Sequence, residues 1–224
     1  MMPPPLPPGA LAIEVVGERV VLLPERALWI PASDTLVVAD LHWGKAATFR
    51  ASHVPVPIGT TASDLARLSR ALTRTGASHL VILGDLLHAR AGRHDRTLDA
   101  ITSWRAAHAT LRITLVRGNH DRHAGDPPAS LAIQCQSAPW QGAPFVGVHE
   151  PASHDTGYVL SGHLHPHVTV HGRGRAHLRL PVFVFGPTMG ILPAFSSFTG
   201  GGMYDRRAAD VLYAIAGDEV LGIG

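Results

Sequence analysis

Five short clusters gather the residue types that bind divalent metals and move protons: Asp40-Leu41-His42, Gly84-Asp85, Gly118-Asn119-His120-Asp121, His149 and Gly162-His163-Leu164-His165. Counted from Asp40 to Asp85, Asn119, His149 and His163, the intervals are 45, 34, 30 and 14 residues. Each is long enough for a chain to leave a sheet and return to it. Brought to one edge, the clusters offer the carboxylates of Asp40 and Asp85, the amide oxygen of Asn119 and five imidazoles. Mixed oxygen and nitrogen donors of this kind suit two five- or six-coordinate divalent ions, with a carboxylate shared between them and water completing the shells. Such pairs clamp the attacking and leaving oxygens of an in-line displacement at phosphorus. Two divalent ions bring four positive charges and the two carboxylates remove two, so the site expects an anionic substrate.

The elements that must position these residues are legible in outline. Ala12–Val16 and Arg19–Leu23 predict a hairpin around Gly17-Glu18. Thr35–Ala39, His79–Leu83 and Arg112–Val116 are apolar, β-branched runs that stop at Asp40, at Gly84-Asp85 and before Gly118-Asn119. Between them, Thr60–Thr75 predicts a helix with Leu65, Leu68 and Leu72 on one stripe and Gly76 as its stop. Asp95 to Thr110 predicts a second, with Ile101, Trp104 and Leu111 inward. The second half reads as short strands, Phe145–Val148, Tyr158–Leu160, Val168–Val170, Val182–Phe185, Val211–Ile215 and Glu219–Leu221, divided by Gly and Pro. The expected fold is an α/β sandwich of two mixed sheets flanked by helices, with the clusters at the carboxyl ends of strands. After a Pro-rich leader over residues 1–10, residues 11–224 read as a single domain.

Composition narrows the function classes. Fifteen histidines are the outlying number, whereas 19 Lys and Arg against 17 Asp and Glu give a formal charge of only +2. Lys45 is the single lysine. One cysteine, Cys135, excludes an internal disulfide and a Cys-based zinc site, and suits a reducing compartment. The leader lacks a basic n-region and its prolines forbid a helical apolar stretch, so it does not read as a signal peptide. No run is long and apolar enough for a membrane span. A cytoplasmic location is expected, and the oligomeric state is left open between monomer and homodimer.

In this order the five clusters resemble the signature of calcineurin-like metallophosphoesterases. The likeness extends through Ala39–Arg50, Val54–Thr60, Gly84–Ala89, Arg117–Asp126, Val148–Pro151, Gly162–Pro166 and Leu192–Gly201, which are similar to the bacterial branch of ligase-associated DNA-damage-response endonucleases (PdeM). The resemblance implies that Asp40, His42 and His165 hold one metal. It implies that Asn119, His149 and His163 hold the other, with Asp85 bridging. His120 would face the substrate and protonate the leaving oxygen or stabilise charge on phosphorus, Asp121 would orient its ring, and a metal-bridging hydroxide would be the nucleophile. His149 is followed by Glu150-Pro151, where many family members carry a Gly-His pair around this ligand. Manganese is the expected ion, with zinc, iron(II) and nickel as alternatives, of which zinc and nickel can bind tighter without supporting the reaction. The implied substrate is a DNA phosphodiester, contacted by the core domain itself. A repair ligase or helicase is a candidate associate.

Around the clusters, Arg122, Arg117 and Lys45 are the cations expected to meet phosphate; Arg50 and Arg90 divide evenly between that and ordinary solvated charge. Trp43 reads as packing before base stacking. His108 reads as a partly buried, hydrogen-bonded helix residue. His88, His123 and His167 divide between substrate contact and solvation, and His53, His79, His94, His154, His171 and His177 read as surface or strand residues. Three other functions compete with the diesterase: a phosphomonoesterase or small-nucleotide hydrolase on the same metals, a scaffold that has lost catalysis, and a nuclease subunit active only with a partner. An intact Asp85 and His120 speak against the scaffold.

Overall fold

The computed structural model describes residues 5–56, 59–93, 95–171 and 177–223. Residues 1–4 of the leader, Pro57 and Ile58 of the Val54–Thr60 segment, and His94 lie outside them; so does the side chain of His171. A first sheet runs in the order β1 (Leu11–Val15), β2 (Glu18–Leu23), β3 (Ala27–Ile30), β4 (Thr35–Val38), β5 (His79–Leu83), β6 (Arg112–Val116) and β7 (Gln134–Gln136). It is antiparallel from β1 to β4 and parallel from β4 to β7. The second sheet is built from β8 (Trp140–Gly142), β9 (Phe145–Gly147), β10 (Tyr158–Ser161), β11 (His167–His171), β12 (His177–Phe185), β13 (Met189–Ile191), β14 (Val211–Ala216) and β15 (Glu219–Ile223). Its order is β15-β14-β12-β13-β10-β9-β8, with β11 paired to β12 beside that path. Its parallel pairings are β9 with β10 and β10 with β13; its other pairs are antiparallel.

Period-two alternation splits the first sheet's side chains between two cores. Leu36, Val38, Leu80, Ile82, Ile113 and Leu115 face α2 (Thr60–Thr75) and α3 (Asp95–Ala107), meeting Leu65, Leu68, Leu72, Ile101 and Trp104. Val37, Val81, Leu83 and Val116 face the second sheet's Phe145, Leu160, Phe183 and Phe185. The molecule is thus a layered sandwich of two mixed sheets with helices over the first. The second sheet's outer face carries Val182, Val184, Ile191 and Leu212, covered by Val168, Tyr204 and Ile223. Short helices α1 (Lys45–Ala51) and α4 (Asn119–Ala124) follow β4 and β6 directly.

The predicted α2, β5 and β6 have their observed bounds, and Gly76 stops α2 at φ 68° with its N–H on the Leu72 carbonyl. Other boundaries shift. The first hairpin turns at Val16-Gly17, both at positive φ, because Val15 pairs with Glu18 in a tight two-residue turn. Helix α3 ends at Ala107; the next residues close as a turn, with the Leu111 N–H on the His108 carbonyl. His108 stacks on Trp104, rings 4.5 Å apart, and bonds the Trp104 carbonyl, as its sequence position suggested.

His79 is a core residue of β5, not a surface one. Its Nδ1 accepts from Arg112 at 3.0 Å and its Nε2 meets the Thr114 hydroxyl at 2.9 Å. Burial, with the Arg112 charge behind it, pushes its pKa down to about 4. The folded value lies below the ordinary 6.5, so as pH falls the unfolded chain takes up the proton first. The stability this residue contributes is therefore complete above about pH 6.5 and lost towards pH 4, an effect of about 3 kcal/mol at most. Denaturant melts across this window should show a steeper loss in the wild type than in His79→Gln; parallel curves would contradict the assignment.

Candidate active site

Every ligand cluster follows the carboxyl end of a parallel strand. Asp40 and His42 follow β4, Asp85 follows β5, and Asn119 and His120 open α4 after β6. From the facing sheet, His149 follows β9 and His163 and His165 follow β10. The parallel β13 leads into the segment 192–201, whose backbone is tied to the site by Phe195 N–H on the Ala39 carbonyl and Ser196 N–H on the Asp40 carbonyl. Parallel strands with ends pointing the same way in both sheets are what bring five distant stretches together.

The backbone is bent hard to do so. Asp40, His42, Asp85, His163 and His165 all have positive φ, from 46° to 71°, a region non-glycine residues enter rarely and at a cost. Two glycines make room rather than simply turn. A Cβ on Gly84 would lie 2.1 Å from His149 Nδ1, and one on Gly118 would lie 2.2 Å from Asp85 Oδ1. At Gly118, with φ −87°, close approach is the whole requirement.

All seven expected ligands converge. Asp40, His42 and His165 form one group with donor atoms within 4.8 Å of one another, and Asp40, Asp85 and His149 another. Asn119 Oδ1 lies 2.9 Å and His163 Nδ1 3.1 Å from His149 Nε2. The Asp85 carboxylate spans both halves, Oδ2 at 3.6 Å from His42 Nε2 and Oδ1 at 3.5 Å from His149 Nε2.

The donor set fits metal ions. His149 Nδ1 bonds the Leu83 carbonyl at 3.0 Å, which fixes its proton there and leaves Nε2 a lone pair. That lone pair faces the Asn119 oxygen, an acceptor. His165 Nδ1 likewise donates to the Gly200 carbonyl at 2.9 Å, so its Nε2 confronts His42 Nε2 at 3.4 Å and Asp40 Oδ1 at 3.4 Å. Asp40 Oδ1 is buried without a hydrogen-bond partner among the described residues. Converging lone pairs with no protons to share are stabilised by a cation. Burial pushes the Asp85 carboxyl pKa up, and burial with the surrounding histidines and Lys45 pushes His42 well below the usual histidine range. Both directions are what a desolvated site shows before an ion compensates it.

The His120 side chain is 35% exposed. Its Nδ1 donates to the His88 carbonyl at 2.8 Å and its backbone N–H to Asp85 Oδ1 at 2.9 Å, while Nε2 faces Asp85 Oδ2 at 4.0 Å. The expectation that Asp121 aims this ring is corrected. Asp121 is buried, and its carboxylate accepts the N–H groups of Asp85 (2.7 Å), Gly118 (2.9 Å), Leu86 (3.0 Å) and Leu87 (3.3 Å). It locks the Asp85 loop to the start of α4, and the His88 carbonyl aims the ring.

His88 is one of the residues that sequence reasoning left undecided. Its Nδ1 is 3.3 Å from His42 Nδ1, its ring stacks on His120 at 4.8 Å, and burial, with His120 and Lys45 nearby, lowers its pKa to about 4. If His42 Nε2 faces an ion, His42 Nδ1 donates to neutral His88, which fixes the tautomer. His42, His88 and His120 also form a third close trio of donors. The available signal was its place three residues after Asp85 in the same loop. Replacing it in His88→Ala should weaken metal retention about 10- to 100-fold in a chelator titration; unchanged retention would make His88 a packing residue only.

The cations separate. Lys45 opens α1, half-buried; burial lowers its pKa, partly opposed by Asp85. Arg122 is exposed on α4 and carries no ion pair among the described residues. Arg117 leaves the expected phosphate contacts, because its guanidinium is committed to both Asp126 oxygens at 2.7 Å and to Ser137. Trp43 is buried edge-on to Trp104, a packing residue. His123 bonds the Asn119 carbonyl and His167 the His165 carbonyl, both local supports. Behind the site, Arg26 donates to the Ser196 carbonyl, and the Asp64–Arg67 pair (2.7 Å) holds Ser197 and Phe195, fixing the segment that carries Gly200.

The sequence model of the calcineurin-like phosphoesterases matches residues 34–180. A crystal structure of the Pseudomonas putida nuclease MPE is 44% identical, covering 96% of this chain and 100% of its own, with a TM-score of 0.85. The E. coli phosphoesterase Yfce is 16% identical over 82% of this chain and 88% of its own, with a TM-score of 0.36. None of the curated protein sequences matches.

Proposed function

Because the chain belongs to the calcineurin-like phosphoesterase family and is thereby a hydrolytic metallophosphoesterase, we propose that it cleaves nucleic-acid phosphodiesters. In this reading it is a DNA endonuclease using two manganese ions. The observation that carries the two-ion reading is the Asp85 carboxylate spanning both halves of the ligand set. The nucleic-acid reading is supported by the likeness to a solved nuclease over nearly the whole chain. Asp40, His42 and His165 would hold one ion and Asn119, His149 and His163 the other, with Asp85 placed to serve both. When bound, the ions supply Lewis acidity and lower the pKa of water for attack at phosphorus.

The chain's own residues do the rest. The His88 carbonyl holds the His120 ring so that Nε2 opens towards the substrate, where it delivers a proton to the leaving oxygen. Asp121, through four backbone N–H groups, keeps Asp85 and His120 in register. Lys45 and Arg122 draw the phosphate backbone in. Arg122→Ala should raise the half-saturating DNA concentration and lower the salt slope by about one unit; an unchanged slope would remove it from the substrate contacts.

Residues 11–224 act as one domain in this account, in the cytoplasm, in DNA repair beside a ligase or helicase. Among the described residues no helix is long and apolar enough to cross a membrane. The test is hydrolysis of bis-p-nitrophenyl phosphate beside p-nitrophenyl phosphate by metal-stripped, manganese-refilled protein. Diester turnover well above monoester turnover is expected, followed by nicking of plasmid DNA. Monoester turnover alone would make the enzyme a phosphatase.

A further inference from the structure

We infer that the cleft between Phe49, Phe198 and Lys45 docks an unpaired nucleobase next to the scissile phosphate. The inference rests on the nucleic-acid reading above. The cleft, about 310 Å³, is bounded by α1 on one side and by Ser197, Phe198, Thr199 and Gly200 on the other. It opens beside the metal ligands, since the Gly200 carbonyl at its rim accepts the His165 Nδ1–H.

Its walls are aromatic and half open to solvent. Phe49 and Phe198 meet edge to face with ring centroids 5.9 Å apart, and each is only partly buried. Phe49 then lies nearly parallel to His88 (6.3 Å, 28°), and His88 to His120 (4.8 Å, 24°). Rings thus run without a break from the cleft to the proposed proton donor. An apolar wall that serves only packing would be closed, as Trp43 is.

Charge supplies the second argument. Lys45 lines the same cleft and opens α1, three residues beyond the ligand His42. A ligand with a flat π-face joined to an anion matches an aromatic wall beside a cation and a metal-ligand set. A nucleotide has that form, and an acyl chain or a peptide of aliphatic residues does not. Every base offers a π-face, so stacking here is sequence-tolerant. Among the described residues no acidic side chain lines the cleft to read base edges. A base reaches it only when free of its stack and its partner strand.

The test uses a short oligonucleotide with one hydrolysable phosphodiester, its other linkages being methylphosphonates. The base on either side of that linkage is, in turn, retained, replaced by 2-aminopurine or removed to leave an abasic sugar. On one side, removing the base should raise the wild-type KM about 5- to 100-fold, the range typical of stacking on one aromatic residue. Phe198→Leu, which keeps an apolar side chain against Phe49, should cleave the base-containing and abasic substrates alike. Binding to metal-free protein should quench 2-aminopurine at that position in the wild type and not in the variant. Equal cleavage of both substrates by the wild type, or discrimination retained in Phe198→Leu, would overturn the base pocket and leave the nuclease reading standing. Turnover of bis-p-nitrophenyl phosphate with neither cleavage nor binding of any oligonucleotide would overturn the nucleic-acid reading, and the pocket with it.

Discussion

Asp85→Asn is expected to lower diester hydrolysis about a thousandfold or more while leaving the metal-free protein better folded than the wild type. The first effect follows from the span of the carboxylate. One oxygen faces His42 and the other His149, so losing its charge weakens both ion sites together, and Lewis-acid catalysis of this kind supplies several kcal/mol. The second effect follows from burial. Without ions, the desolvated Asp85 carboxylate sits beside Asp40, and its pKa is pushed up by burial. Removing a buried charge relieves that cost, while the asparagine oxygen can still accept the His120 N–H that starts α4. Thermal melts should therefore show a higher Tm for metal-free Asp85→Asn than for metal-free wild type, and a smaller rise on adding manganese. Equal rises in the two proteins would mean that Asp85 is not a shared ligand. Asp85→Ala should abolish activity as well, but it also frees the His120 N–H, so the asparagine variant is the cleaner measurement.

His120→Ala should behave in the opposite way, keeping its ions and losing chemistry. Its Nδ1 is committed to the His88 carbonyl, and its Nε2 stands 4.0 Å from Asp85, outside the two ligand groups that Asp85 joins. A general acid is worth about 10²- to 10⁴-fold when the leaving group needs a proton. DNA, whose leaving alkoxide is a poor one, should suffer that full loss. Bis-p-nitrophenyl phosphate, whose phenolate departs unaided, should lose far less. Equal losses on the two substrates, or a metal count that falls with activity, would place His120 among the ligands with His42 and His88.

Much of the site was legible because parallel strands end in it. A buried β-branched run stopped by a polar residue is a strong local pattern, and Thr35–Val38, His79–Leu83 and Arg112–Val116 each display one. The structure adds what such patterns cannot encode. Helices α1 and α4 are too short, at seven and six residues, for an apolar period to register. Strand β3 is only four residues lying between Pro24 and Pro31, and the three-residue β13 has glycine at its centre, so neither displays a strand pattern. The roles of Asp121 and His88 depend on which backbone groups lie opposite them in space. Adjacency in Gly118-Asn119-His120-Asp121 suggested that Asp121 serves its neighbour. Its side chain instead reaches back to residues 85–87, across the gap between two strand ends. Likewise nothing local distinguished Phe49 and Phe198 from core residues, or showed that Arg117 is neutralised by Asp126.

The central claim is that one carboxylate joins two ions in a single site, and electron paramagnetic resonance of the manganese-refilled protein tests it most directly. Two ions per chain with the spectrum of an exchange-coupled pair, lost in Asp85→Asn, is the result expected. One ion per chain, or two showing only the hyperfine pattern of isolated manganese, would contradict it.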